Sequence, residues 1–201
     1  MPEPLTSLPP GQATELSLSI ERAYREALVI DRLGSLWALI LAKCFLAQWA
    51  IGRFAIPVNG LIYIWTLTLA MALVASAYYL HAHRLVFRFF PTQVRVASAG
   101  LLGLVMALGF VAYAHLGLNL ITLATTTGLS AAMLGSWSLI QASLRRAWEP
   151  LMGALVWWGI ALTSLHDRDA DALLWLGLGF LFAQALPGFL LSCRTAREKR
   201  A

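Results

Sequence analysis

Apolar residues in this chain gather into blocks of about 20, at about 33–52, 61–80, 96–116, 119–140, 149–165 and 172–192. That is the length at which a helix, rising about 1.5 Å per residue, crosses the ~30 Å hydrocarbon layer of a bilayer. Six such blocks in 201 residues leave no polar helices to bury them. The pattern therefore predicts an all-α integral membrane protein with six transmembrane helices within 33–192. Short connections at about 53–60, 117–118 and 166–171 join them as three hairpins, near 33–80, 96–140 and 149–192, and longer connections run over about 81–95 and 141–148.

A different periodicity precedes the first block. Leu16, Ile20, Ala23, Ala27 and Ile30 recur at spacings of four and three, with Glu21–Arg25 and Arg22–Glu26 as i,i+4 pairs on other faces. This predicts a cytoplasmic amphipathic helix over 14–32. Its near-balanced charge and lack of lysine favour packing on a partner helix, or on a second copy, over a lipid anchor. Residues 1–13, with Pro2, Pro4, Pro9 and Pro10, read as a disordered N-terminus, and 193–201 as a basic cytoplasmic tail. No cleavable signal peptide is expected, because Glu3, Glu15, Glu21, Glu26 and Asp31 interrupt the N-terminal region and no apolar core segment lies among them.

Composition agrees with the pattern. The chain is 59% hydrophobic and 12% charged, against about half and a quarter in soluble domains. Its net charge of +5 is a topology signal, since basic residues near helix ends stay on the cytoplasmic side. Arg22, Arg25, Arg32, Arg84, Arg88, Arg95, Arg145, Arg146, Arg194, Arg197, Lys199 and Arg200 fall on one side. Arg53 and Arg168 fall on the other, a ratio of twelve to two that predicts both termini in the cytoplasm. With no soluble basic domain, nucleic acid is not expected as a partner. The lipid bilayer and its anionic headgroups are, with Arg84, Arg88, Arg194 and Arg197 as contacts. Trp37, Trp137 and Trp148 lie near the inner boundary and Trp49, Trp65 and Trp175 near the outer one, where indole is enriched. Trp157 and Trp158 sit deeper and are expected to pack between helices. Cys44 and Cys193 fall in the first helix and at the far end of the sixth, which gives no framework of nearby loop cysteines, and they read as free thiols.

In lipid, small residues four apart let helix backbones approach closely. Ala99, Gly103 and Ala107 in the third helix and Ala124, Gly128 and Ala132 in the fourth predict that these two form the tightest pair. Pro187 is expected to kink the sixth helix or end it early.

The chemistry-bearing candidates are few. In HDRDAD (166–171), Asp167, Asp169 and Asp171 alternate like the start of a calcium loop, but the turning glycine and the later bidentate glutamate are missing. One histidine with carboxylates is also thin for zinc. A hairpin tip with Asp169 or Asp171 capping the sixth helix accounts for the segment better, so no metal is expected. His81 and His83, two apart in a basic loop, are not helix-face ligands, and no haem or other cofactor is expected. Lys43, about ten residues into the first helix, is the ionisable group to weigh, because such groups are costly inside a membrane. As a functional residue it would face Gln48, Gln184, Thr125 and Thr126 across a polar seam and contact an anion. Otherwise its stem carries the ammonium to the interface. The hydroxyls of the fourth helix can instead bond back to carbonyls one turn earlier. Nucleophile elbows, HExxH, Walker loops and CxxC are absent, so no catalytic residue is assigned.

The outline of three hairpins and six helices in about 200 residues is similar to that of the HdeD-like acid-resistance membrane proteins. It departs from that family at its Pro-Gly hairpin tips: Pro57 has no following glycine, and the third tip reads HDRDAD. The expected function is that of an accessory, regulatory or scaffold subunit in a cell membrane, a bacterial inner membrane by this reading. It would work through a protein partner or as a homo-oligomer. The alternatives are a small transporter or channel subunit with Lys43 lining its path, and an intramembrane lipid-modifying enzyme.

Overall fold

The computed structural model describes residues 10–57, 61–82, 92–166 and 171–198, with the helical backbone alone for residues 10–28, 30, 92–98 and 195–198. Among these residues the protein is all-helical, without strands. The helices are α1 (Pro10–Arg53), α2 (Leu61–Ala82), α3 (Thr92–Leu116), α4 (Leu123–Arg145), α5 (Glu149–His166), α6 (Ala172–Gly179) and α7 (Leu186–Glu198). A π-helical stretch, Phe180–Ala185, joins α6 to α7 in one rod. Each of the six apolar blocks is thus one helical rod.

The amphipathic segment and the first apolar block are not separate elements. α1 runs unbroken for 44 residues from Pro10, inside the stretch read as disordered, to Arg53. The change near residue 32 is a change of environment, from amphipathic to apolar, and no turn residue ends the helix there.

Four stretches are long and apolar enough to cross a membrane: Asp31–Arg53, Leu61–Ala82, Ala99–Leu116 and Ala172–Arg194. α4 and α5 fall short of that standard, and their burial supplies the reason. Thr127, Gly128, Ala131, Leu134, Gly135, Trp137, Ser138 and Ala142 of α4 are buried, as are Gly153, Ala154, Trp157, Ile160, Ala161 and Ser164 of α5. Side chains that face other helices need not be as lipid-soluble as those that face acyl chains. α2 shows the converse: it is strongly apolar and buries only Ala72 and Ser76.

α4 packs along α5 more extensively than any other pair, α1 lies against the α6–α7 rod, and α2 and α3 are peripheral, touching mainly α1 and α4. The core centres on Trp157, fully buried among Ala131, Leu134, Ile160, Ala161, Leu176 and Ala183, with the Phe180 ring edge-on at 5.2 Å. This corrects the expectation that α3 and α4 are the tightest pair. Gly128 serves the α4–α5 contact, facing Leu165 and the Ala161 carbonyl. Ala124 and Ala132 are half-buried. On α3, Ala99 and Gly103 are exposed, Ala107 is half-buried, and no atom lies within 4 Å of where a Cβ on Gly103 would stand. The α3 face that meets the core is the neighbouring stripe, with Gly100 under the Trp137 ring and Leu104 and Leu108 against the cluster.

Pro187 does not end the last rod, which continues as α7 to Glu198. Lacking an N–H, it cannot bond the Ala183 carbonyl four residues back, and its ring crowds that oxygen. The backbone widens just before it, so that the Leu186 N–H reaches Leu181 O, five residues back. Gly153 of α5 packs against the Ala183 carbonyl, where a Cβ would overlap the oxygen.

Candidate functional site

Charged side chains converge at one end of the bundle. The turn between α4 and α5 prepares it: Arg146 takes a left-handed conformation (φ 49°) as the C-cap of α4, its N–H bonded to Ala142 O. That reversal leaves Arg145 on the last turn of α4 and Glu149 on the first turn of α5. Arg145 Nη1 donates to Oδ1 of Asp31, on α1 at the start of its apolar stretch. Glu149 Oε1 accepts from Arg194 Nη1 of α7 at 3.3 Å. These pairs tie α1 to α4 and α5 to α7. A third contact closes the end, where Gly188 of α7 meets the Ser35 side chain, whose Oγ donates to Asp31 O at 2.8 Å.

The two carboxylates are buried and their partners less so. The Asp31 side chain is 7% exposed against 30% for Arg145, and the Glu149 side chain 4% against 52% for Arg194. Glu149 Oε2 is buried without a hydrogen-bond partner among the described residues. Its position on the first turn of α5 sets it in the favourable field of the helix N-terminus.

The opposite end is held by neutral groups and one acid. Trp49 Nε1 of α1 donates to Asp171 Oδ1 at 3.1 Å. Asp171 stands at the N-cap position of α6, yet its side chain makes no cap hydrogen bond. It ties α1 to α6 instead, so of the two residues expected as cap Asp171 does not serve. Asp167 and Asp169 lie outside the described residues. His115 Nδ1 donates to Ile121 O at 2.9 Å and closes the α3–α4 turn. Among the described residues no group of three or more His, Cys, Asp or Glu is placed to hold a metal ion.

The residues expected to form a polar seam around Lys43 are placed as follows. Lys43 is exposed on α1 between buried Ala42 and Cys44, and Gln48 is half-buried. Gln184, in the π-helical stretch, donates to Ser138 Oγ of α4 at 3.2 Å. The Thr125 N–H donates to Thr122 Oγ1 at 3.2 Å, and Thr126 Oγ1 donates to Thr122 O at 2.9 Å, so both serve the start of α4. Leu16, Ile20, Ala23, Ala27 and Ile30 lie on α1, where the backbone alone is described. Arg84 and Arg88 lie outside the described residues, and Arg197 lies on α7 with its side chain undescribed.

Sequence reasoning passed over Asp31, Arg145 and Glu149 as a set. One signal was present, for Glu149 is the single acid between Asp31 and Asp167 and stands at the head of an apolar block. Chemically the arrangement is a clasp: each acid is paired with an arginine from another helix. Comparison of the chain with protein-family models, with curated proteins and with solved structures finds no match.

Proposed function

We propose that this protein is an accessory, regulatory or scaffold subunit in a cell membrane, a bacterial inner membrane by the sequence reading. It would engage a protein partner, or a second copy of itself, through the N-terminal part of α1. The observation that carries the reading is the length of α1. Its 44 residues span about 66 Å at 1.5 Å per residue, roughly twice the hydrocarbon thickness. If Asp31 marks the membrane boundary, the segment 10–30 continues past it as a helical arm of about 30 Å. The stripe Leu16, Ile20, Ala23, Ala27 and Ile30 is the pattern by which an amphipathic helix lies in a groove or beside another helix. The arm is joined without a break to the helix that carries Asp31, so a load on it reaches the Asp31–Arg145 pair and α4 directly.

The basic end, with Arg32, Arg145, Arg146 and Arg194, is taken as the cytoplasmic one and all six rods as crossing. The two alternatives have less behind them. For a transport path through Lys43 the support is thinner because the side chains of Gln184, Thr125 and Thr126 have hydrogen-bond partners other than Lys43. A lipid-modifying enzyme needs an acid or base at the interface, and Asp31 and Glu149 are both paired with arginine.

Photo-cross-linking in cells tests the arm. A photoreactive residue at Leu16 or Ile20 should give protein adducts of one defined mass, and one at Glu21 or Arg25, on the opposite face, should give far less. Adducts at twice the chain mass identify self-association. Cross-linking to lipid alone from every position would end the partner reading.

A further inference from the structure

A groove of about 780 Å³ runs along the outside of the bundle between α1 and the α6–α7 rod. Its lining is graded. At one end stand Arg32, Ser35, Ser192 and Cys193, level with the close approach of Gly188 to Ser35. The rest is apolar, including Leu39, Leu181 and Phe182. From Cys193 to Leu181 the groove follows twelve residues of helix, or about 18 Å, close to the depth of one leaflet of a ~30 Å hydrocarbon layer. Its polar end coincides with Asp31, where the apolar stretch of α1 begins.

Among the described residues the charges at that end have one sign left over. Asp31 and Glu149 are neutralised by Arg145 and Arg194. Ser35 Oγ and Ser192 Oγ donate to the carbonyls of Asp31 and Phe189 at 2.8 Å each. Arg32 is exposed, lines the mouth, and has no acidic partner among the described residues. A cation at the interface above an apolar channel one leaflet deep is complementary to an anionic headgroup carrying an acyl chain. We infer that this groove is a binding site for one anionic glycerophospholipid of the surrounding leaflet, with its phosphate on Arg32 and an acyl chain between α1 and the α6–α7 rod. The assignment is independent of the proposed partner arm, because it uses residues 32–39 and 181–193 only.

Native mass spectrometry of the full-length protein in mild detergent, with equal amounts of phosphatidylglycerol and phosphatidylcholine, tests the assignment. One retained lipid per chain is expected, with phosphatidylglycerol favoured about fivefold, the order that one basic side chain contributes at an anionic surface. Arg32→Gln should bring the two lipids to near parity, while Arg32→Lys keeps the preference. Leu39→Trp, at a lipid-facing position, fills the channel and should lower retention of both lipids. The inference is overturned by an unchanged ratio in Arg32→Gln, by full retention in Leu39→Trp, or by a second copy of the chain occupying the face in place of lipid.

Discussion

Asp31 and Glu149 are both buried acids paired with arginine, yet their partners differ in ways that decide their energetic weight. Breaking a buried pair by removing one member costs about 3–5 kcal/mol, because the other charge stays behind unpaired. Asp31 is in the interior of α1, with no helix N-terminus to stabilise it, and the Arg145 side chain is only 30% exposed. Arg145→Ala is therefore expected near 3 kcal/mol, read as a lower melting temperature in detergent. Asp31→Asn combined with Arg145→Gln should recover most of that loss, since no charge is then left buried. Arg194 is half exposed, so its pair is screened, and Glu149 keeps the field of the α5 N-terminus when the guanidinium goes. Arg194→Ala should cost about 1 kcal/mol or less. Equal losses for the two arginines would show that the burial difference does not govern them. Lys43 belongs at this scale too. Exposed on α1, it can carry its ammonium toward the interface, and Lys43→Met then removes a desolvation cost. That variant should melt no lower than the parent and stay fully active in the cell.

Between elements, contact depends on which stripe of a helix turns inward. The spacing of small residues in α3 and α4 is visible in the sequence, but in lipid every face of α3 is apolar, so no amphipathic contrast fixes its rotation. The stripes Ala99–Gly103–Ala107 and Gly100–Leu104–Leu108 differ by one residue, or about 100°, and the second is the one that packs. Gly103→Leu should accordingly be tolerated. Gly153→Val should not be, because the new Cβ overlaps the Ala183 carbonyl, a backbone atom held by the π-helical stretch. Overpacking of this kind costs about 1–3 kcal/mol or more, and folded yield on size-exclusion chromatography reads it. The positions of the six rods were legible because apolar blocks of bilayer length, repeated along so short a chain, have few settings besides a membrane. The continuity of α1 was not, since a change from amphipathic to apolar composition looks like a boundary although backbone hydrogen bonding runs straight through it. The continuation of the last rod through Pro187 was not legible for a related reason: the lost hydrogen bond is absorbed by widening the helix, a response no local rule about proline chooses in advance. The basic-end clasp was hidden because its acids and arginines come from four different helices, and only packing brings them together.

For the molecule as a whole, the open choice is between four crossings and six. Both agree with both termini in the cytoplasm, because α4 and α5 either cross as a pair or stay together on the outer side. The α4–α5 turn distinguishes them: it is cytoplasmic if six rods cross and external if four do. Two contacts favour six. Arg145 pairs with Asp31 at the start of the apolar part of α1, and Arg194, at the end of the last rod, pairs with Glu149. The turn therefore shares an end with the first and last rods, while Trp49–Asp171 marks the opposite end. The buried faces of α4 and α5 also remove the objection that these helices are too polar, since Thr127, Ser138 and Ser164 face protein and not lipid. Arg146→Cys, in a chain carrying Cys44→Ala and Cys193→Ser, places a single thiol in that turn. A membrane-impermeant maleimide should leave it unlabelled in intact cells and label it once the membrane is opened. A second single thiol, at Leu118 in the α3–α4 turn, should label in both conditions and so control for access. If the thiols at 146 and 118 both react in intact cells, α4 and α5 do not cross, and Arg145 on the outer side cannot then reach Asp31 at the cytoplasmic end of α1.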